Sequence, residues 1–255
     1  MTSLTPFVGG AGRVEPTARG ARLVIEPQAG YSVAQLDDTV RRPRSQFRHR
    51  PPFQAHVRAR ASRSDPVGTL GFGLWNDPFA VSLGQAGAMR KLPASPQALW
   101  FFYGSPPNDM AYATPGVAAG WKAASLRSPR LPAALVVAGG AGLMAAGLLR
   151  RLQAWLVAWA LSRVQAAEAE IEADLADWHS YELDWRDGAA EFRVDGELML
   201  RAEQPPEPPL GFVLWIDNQY AVISRTRGIR FGLLPTTEPQ WLEVADLHFS
   251  NVGQR

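Results

Sequence analysis

Cysteine is absent from all 255 residues, so no disulfide framework, thiolate zinc site or cysteine nucleophile can be built. Lysine is nearly absent too: Lys91 and Lys122 are the only two, and arginine carries the remaining basic charge. No long run of one charge and no low-complexity tract occurs, which argues against a disordered chain. The opening "MTSLTPFVGGAGRVEP" has no basic stretch followed by an apolar one. It does not read as a secretory leader, and cytoplasmic residence is the expectation. His49, His56, His179 and His248 show no metal-ligand spacing, and no Gly-rich phosphate loop or serine elbow appears. Neither a metal nor a cofactor is expected.

What is present is a succession of short alternating segments. "FQAHVRARAS" (53–62) places Phe53, Ala55, Val57, Ala59 and Ala61 on one face and Arg58 and Arg60 on the other, the signature of a half-buried strand. Its arginines therefore read as a solvated sheet face, and no nucleic-acid partner is expected. Further strand-like runs are "ARLVIEPQ" (21–28), "GTLGFGLWNDPF" (68–79), "ALWFFYGS" (98–105) and "GWKAASLR" (120–127). Beyond 177 come "HSYELDW", "AEFRVDG", "ELMLRAE", "PLGFVLWIDN", "YAVIS" and "QWLEVADLHFS", divided by Asp-Gly, Pro-Pro and Gly turns. The pattern predicts an all-β antiparallel sandwich or jelly roll over 21–255, preceded by a loose segment at 1–20.

One region departs from it. "LPAALVVAGGAGLMAAGLL" (131–149) runs without a charge, and "RRLQAWLVAWALSRV" and the acidic "QAAEAEIEADLADW" follow. A helical hairpin inserted at about 128–177, turning near Gly147 to Arg151, fits a segment that must leave and rejoin one sandwich. It could pack on the sandwich or on a second copy of the chain. Trp155 and Trp159, one turn apart beside Arg150 and Arg151, also suit a peripheral membrane contact through 131–165.

"WHSYELDWRDGAAEFRVDGELML" (178–200), "FQAHVRARAS" with "GTLGFGLWNDP", and "WLEVADLHF" occur in an order that resembles the concanavalin A-like lectin/glucanase superfamily. Within it they are similar to family-16, laminarinase-like glycoside hydrolases. The resemblance implies a jelly roll with a concave ligand groove. It also implies a catalytic strand carrying Glu-x-Asp-x-Glu, whose outer acids act as nucleophile and acid/base in retaining hydrolysis. The matching strand here is "QALWFFYG", with Gln97, Leu99 and Phe101 where the three acids would stand. An amide and two hydrocarbons can neither attack as a carboxylate nor deliver a tuned proton, so classical glycoside hydrolysis is not expected. The acids of "EAEIEAD" (168–174) read as helical.

An internal echo suggests what lines the groove instead. "GFGLWNDPFAVS" (71–82) and "GFVLWIDNQYAVIS" (211–224) share Gly-Phe-x-Leu-Trp-x-Asp. Alternation puts Trp75 with Asp77, and Trp215 with Asp217, on one face of their strands. With the Leu99, Phe101 and Tyr103 face between them and Gln97 at its end, an aromatic and apolar floor is expected. Asn108, Asp109 and Asn218 are polar candidates at its rim. Turn formation and backbone capping account equally well for Asp77, Asp217, Asn108 and Asp109. His179 reads as part of the hairpin scaffold.

Three functions fit. The first is a non-hydrolytic protein holding a lipophilic small molecule or a carbohydrate. The second is an enzyme with a repurposed groove, a cyclase or isomerase using Asp77 and Asp217 as acid and base. The third is an assembly or membrane-associated protein, with the helical hairpin as its contact or as a homo-oligomer seam.

Overall fold

The computed structural model describes residues 4–40, 42–78, 91–92, 94–145 and 149–250, with the side chains of 143–145 left aside. Two seven-stranded antiparallel sheets face one another. The first runs, edge to edge, β1 (Thr5–Gly9), β4 (Val33–Asp37), β13 (Gly211–Asp217), β6 (Thr69–Trp75), β7 (Gln97–Gly104), β8 (Gly120–Arg127) and β9 (Gln165–Glu170). The second runs β12 (Glu197–Ala202), β11 (Ala189–Val194), β10 (His179–Arg186), β5 (Phe53–Ala61), β16 (Gln240–Ser250), β3 (Gly20–Ile25) and β2 (Gly12–Pro16). The expected all-β sandwich with two inserted helices is what the chain forms.

The core lies between the sheets and follows from alternation. β5 turns Phe53, Ala55, Val57, Ala59 and Ala61 inward, as its period-two pattern predicts. They meet Leu70, Phe72 and Leu74 of β6 and Phe212, Leu214 and Ile216 of β13. At the centre, Phe101 packs on Phe72, Tyr181 and Phe192 with ring centroids 5.1–5.4 Å apart. The outward arginines of β5 are held on their own sheet. Arg60 stacks on Trp178 and Trp241 and shares the Glu243 carboxylate with Arg22.

The hairpins are fixed by turn chemistry. Asp195 and Gly196 both adopt positive φ, at 51° and 83°, as a two-residue turn matching the strand twist demands. Asp195 also receives the Ser180 amide at 2.8 Å and approaches His179 Nδ1 at 2.6 Å. His179 is thus tied into the scaffold.

Three boundaries differ from expectation. Residues 5–9 and 12–16, expected to be loose, are β1 and β2, one in each sheet. The glycines that suggested a loop form the tight link between them, with Gly10 at φ 59°. The insertion is shorter than 128–177: α1 is Ala133–Ala145 and α2 is Arg150–Leu161. The intended turn near Gly147 falls partly outside the described residues. Residues 165–170 form β9 rather than a helix. Alanine and glutamate favour helix, but the edge of β8 offers a ladder and a buried cation, and tertiary pairing overrides the propensity.

Candidate functional site

The echoed pentapeptides are neighbours. β6 and β13 pair antiparallel, with Gly211 opposite Trp75 and Trp215 opposite Gly71. Each tryptophan therefore lies across from the other segment's glycine. A Cβ on Gly71 would collide with the Phe101 carbonyl and come within 2.8 Å of Trp215 Cη2. Glycine there is what lets the indole lie down on the sheet.

Both faces of β7 are buried along its whole length. Leu99, Phe101 and Tyr103 point into the inter-sheet core, so the expected groove floor is the opposite one. The outer face carries Ala98, Trp100 and Phe102 with Trp215 and, at its edge, Trp75. Parity could not be chosen from sequence because odd and even positions of "QALWFFYG" are both apolar. The rings of Trp100, Phe102 and Trp215 lie 5.5–5.9 Å apart between centroids. Gln97 is buried at the strand's end, donating to the Ser128 carbonyl.

This aromatic face is covered. The inner side of α2, Val157 and Leu161, packs over it. So do Ala221 and Ile223 of β14 (Gln219–Ser224), Ile229 of β15 (Gly228–Leu233), and Met110 and Tyr112. Among the described residues, the Nε1 atoms of Trp75 and Trp100 on this face are buried without a hydrogen-bond partner. They sit on adjacent strands as diagonal neighbours, Trp100 opposite Gly73 and Trp75 two positions on, a separation of roughly 7–8 Å between Cα atoms. A buried N–H without an acceptor is costly.

The third indole is satisfied. Trp215 Nε1 donates to Thr69 Oγ1 at 3.0 Å, and that hydroxyl donates to Asp217 Oδ1 at 2.8 Å. Asp217 also accepts the Gln219 amide at 3.1 Å. Burial nonetheless pushes its carboxyl up to about 6, because desolvation outweighs the hydrogen bonds. The Tyr31 phenol is driven up by burial and by the Asp217 charge.

Asp77 does not join it. Asp217 is opposite Thr69 while Asp77 lies beyond Trp75 at the far end of β6, so roughly 25 Å separates the two backbones. Asp77 takes a positive φ of 48° and pairs with Lys91 Nζ at 2.6 Å. The rim candidates Asn108 and Asn218 are held by backbone. Asn108 accepts the Ala221 amide and donates to the Ser105 carbonyl. Asn218 accepts the Ser32 amide and donates to the carbonyls of Gly30 and Leu234. Asp109 binds Arg227 Nε at 3.0 Å.

Sequence reasoning missed Lys122 and Glu168. Lys122 Nζ donates to the carbonyls of Met110 and Val117 and to Glu168 Oε1, at 2.6–2.8 Å. Glu168 Oε2 accepts the amides of Ala113 and Val117. The pair welds the 105–119 loop onto β8 and β9. A signal existed: both lysines of this arginine-rich chain sit in nearly closed ion pairs that also hold backbone carbonyls. A compact ammonium fits such a cage where a planar guanidinium does not.

Among the described residues, no group of three or more His, Asp or Glu side chains is placed to hold a metal ion. No helix among them is long and apolar enough to cross a membrane.

No family model and no curated protein matches the sequence. Similar solved structures include a legume lectin-like domain from Entamoeba histolytica, at 10% identity and a TM-score of 0.49, covering 97% of this chain and 90% of that one. Another is a Bacillus licheniformis β-glucanase, at 12% identity and a TM-score of 0.46, covering 97% and 91%. A sialidase matches at 8% identity with a TM-score of 0.43 over 98% of this chain, which spans only 17% of its length.

Proposed function

We propose that this chain is a non-hydrolytic ligand-binding protein. Its ligand takes the Trp75–Trp100–Phe102–Trp215 face of the first sheet by displacing part of the apolar cover of α2 and the β14–β15 hairpin. One observation carries the reading: the buried indole N–H groups of Trp75 and Trp100 on that face, which have no hydrogen-bond partner among the described residues. The ligand chemistry that answers them is a flat or ring-bearing apolar body with one or two acceptor oxygens. A lipophilic small molecule fits that description better than a free-standing glucan chain. The apolar cover formed by Val157, Leu161, Ile223 and Ile229 offers nothing to satisfy a row of sugar hydroxyls.

A second reading keeps the same face but makes it catalytic. Asp217, with its carboxyl raised to about 6, is suited to donate a proton near neutral pH. Without Asp77 at hand, the paired acid–base scheme does not carry over, and Asp217 would act alone at the end of the Trp215–Thr69 chain.

The test is binding measured beside turnover. The protein is titrated with N-phenyl-1-naphthylamine and with laminarihexaose, and reducing ends are assayed with laminarin. The proposal expects saturable dye binding that weakens in Trp100→Phe, and no release of reducing ends. Laminarin hydrolysis, or dye binding indifferent to Trp100→Phe, would overturn it.

A further inference from the structure

The cover over the aromatic face has a second side. α2 buries Gln153, Val157 and Leu161 against the body, and its opposite stripe carries Leu152, Trp155 and Trp159 into solvent. The two tryptophans are 62% and 52% exposed. Alongside, Leu135 of α1 and Phe231 and Leu233 of β15 are exposed as well. Large apolar side chains gathered on one face mark a contact surface.

The charge on this face has one sign. No Asp or Glu occurs between residues 131 and 164, while Arg150, Arg151 and Arg163 do, and all three are exposed. On the outer face of the second sheet, by contrast, Arg22, Arg60, Arg186, Arg193 and Arg201 are each matched by a carboxylate. Among the described residues, Arg150 and Arg151 have no such partner, and Arg163 rests on the Trp159 ring at 4.9 Å. Exposed tryptophans interleaved with unneutralised arginines fit the headgroup layer of an anionic bilayer, where the rings enter the acyl boundary and the guanidiniums meet phosphate. α1 is 13 residues long, about 20 Å, short of a bilayer core of roughly 30 Å. The geometry is that of a surface contact.

We infer that the exposed face of α1, α2 and β15 docks the protein on an anionic phospholipid surface. This stands independently of any ligand beneath the cover.

Flotation of the full chain with vesicles tests it, comparing phosphatidylcholine alone with a phosphatidylcholine–phosphatidylglycerol mixture. Two variants accompany it, Trp155→Ser with Trp159→Ser and Arg150→Gln with Arg151→Gln. All four positions are exposed, and near-ultraviolet circular dichroism checks that the fold is kept. The wild type should float with the anionic vesicles only, and added salt should weaken it. The arginine variant should partition roughly 30-fold less, and the tryptophan variant should stay at the bottom. Equal partition onto both vesicle types, or none, overturns the inference. If the wild type instead sediments as an oligomer that the tryptophan variant dissociates, the surface belongs to a second copy of the chain and the lipid assignment is wrong.

Discussion

Lys122 and Glu168 meet at 2.6 Å with side chains only 1% and 0% exposed, one on β8 and the other on the edge strand β9. Burial lowers the lysine's proton affinity against the pull of the carboxylate. Every donor of the ammonium nevertheless has an acceptor. Such a pair adds little beyond well-packed hydrocarbon, yet breaking it strands a charge.

Glu168→Gln should therefore destabilise the chain by about 3–5 kcal/mol, lowering the thermal midpoint by roughly 10 °C. Lys122→Arg should not be tolerated as conservative, because the planar fork cannot address three convergent acceptors. The double variant Lys122→Met with Glu168→Leu should lose less than the sum of the single changes. Calorimetry of the set checks this; additive losses would remove the pair from the account.

Asp217 makes stability depend on pH with a definite sign. Its folded carboxyl ionises near 6, against 3.8 for the unfolded group, so the folded state holds the extra proton. Its contribution is complete below about pH 4 and is lost as pH rises through 6, amounting to up to about 3 kcal/mol. Relative to wild type, Asp217→Asn should be neutral near pH 4 and more stable near pH 7 by up to that amount. Urea midpoints across this range decide it, and a pH-independent difference would contradict the raised ionisation.

Gly71→Ala should be far more damaging than an alanine in a strand ordinarily is. The added methyl meets the Phe101 carbonyl and the Trp215 ring together. Overpacking of this kind costs about 1–3 kcal/mol. The near-ultraviolet tryptophan signal should change with it, because Trp215 must move. An unaltered spectrum would mean the indole does not lie on Gly71.

The strands were legible where one face meets water. In β5 the alternation of Phe53 to Ala61 with Gln54, His56, Arg58 and Arg60 reads directly as inside and outside. The Val-Asp-Gly turn at 194–196 announced its hairpin for the same local reason. β7 was legible as a strand but not in its facing, because α2 buries the side that would otherwise have shown polar residues. The candidate site was legible in Trp75 and Trp215, which the echo singled out. Trp100 and Phe102 were not, and neither was the separation of Asp77 from Asp217, which only the antiparallel pairing of the two echoes creates. Glu168 was hidden by helix-favouring neighbours, since its partner lies 46 positions away.

The most direct test of the covered aromatic face is the indole N–H spectrum. The nine tryptophans give separate proton–nitrogen cross-peaks, assignable by single Trp→Phe changes, and N-phenyl-1-naphthylamine is titrated in. The account predicts that the peaks of Trp75 and Trp100 shift first and saturate together. Movement of Trp155 and Trp159 alone, with Trp75 and Trp100 unmoved, would contradict it.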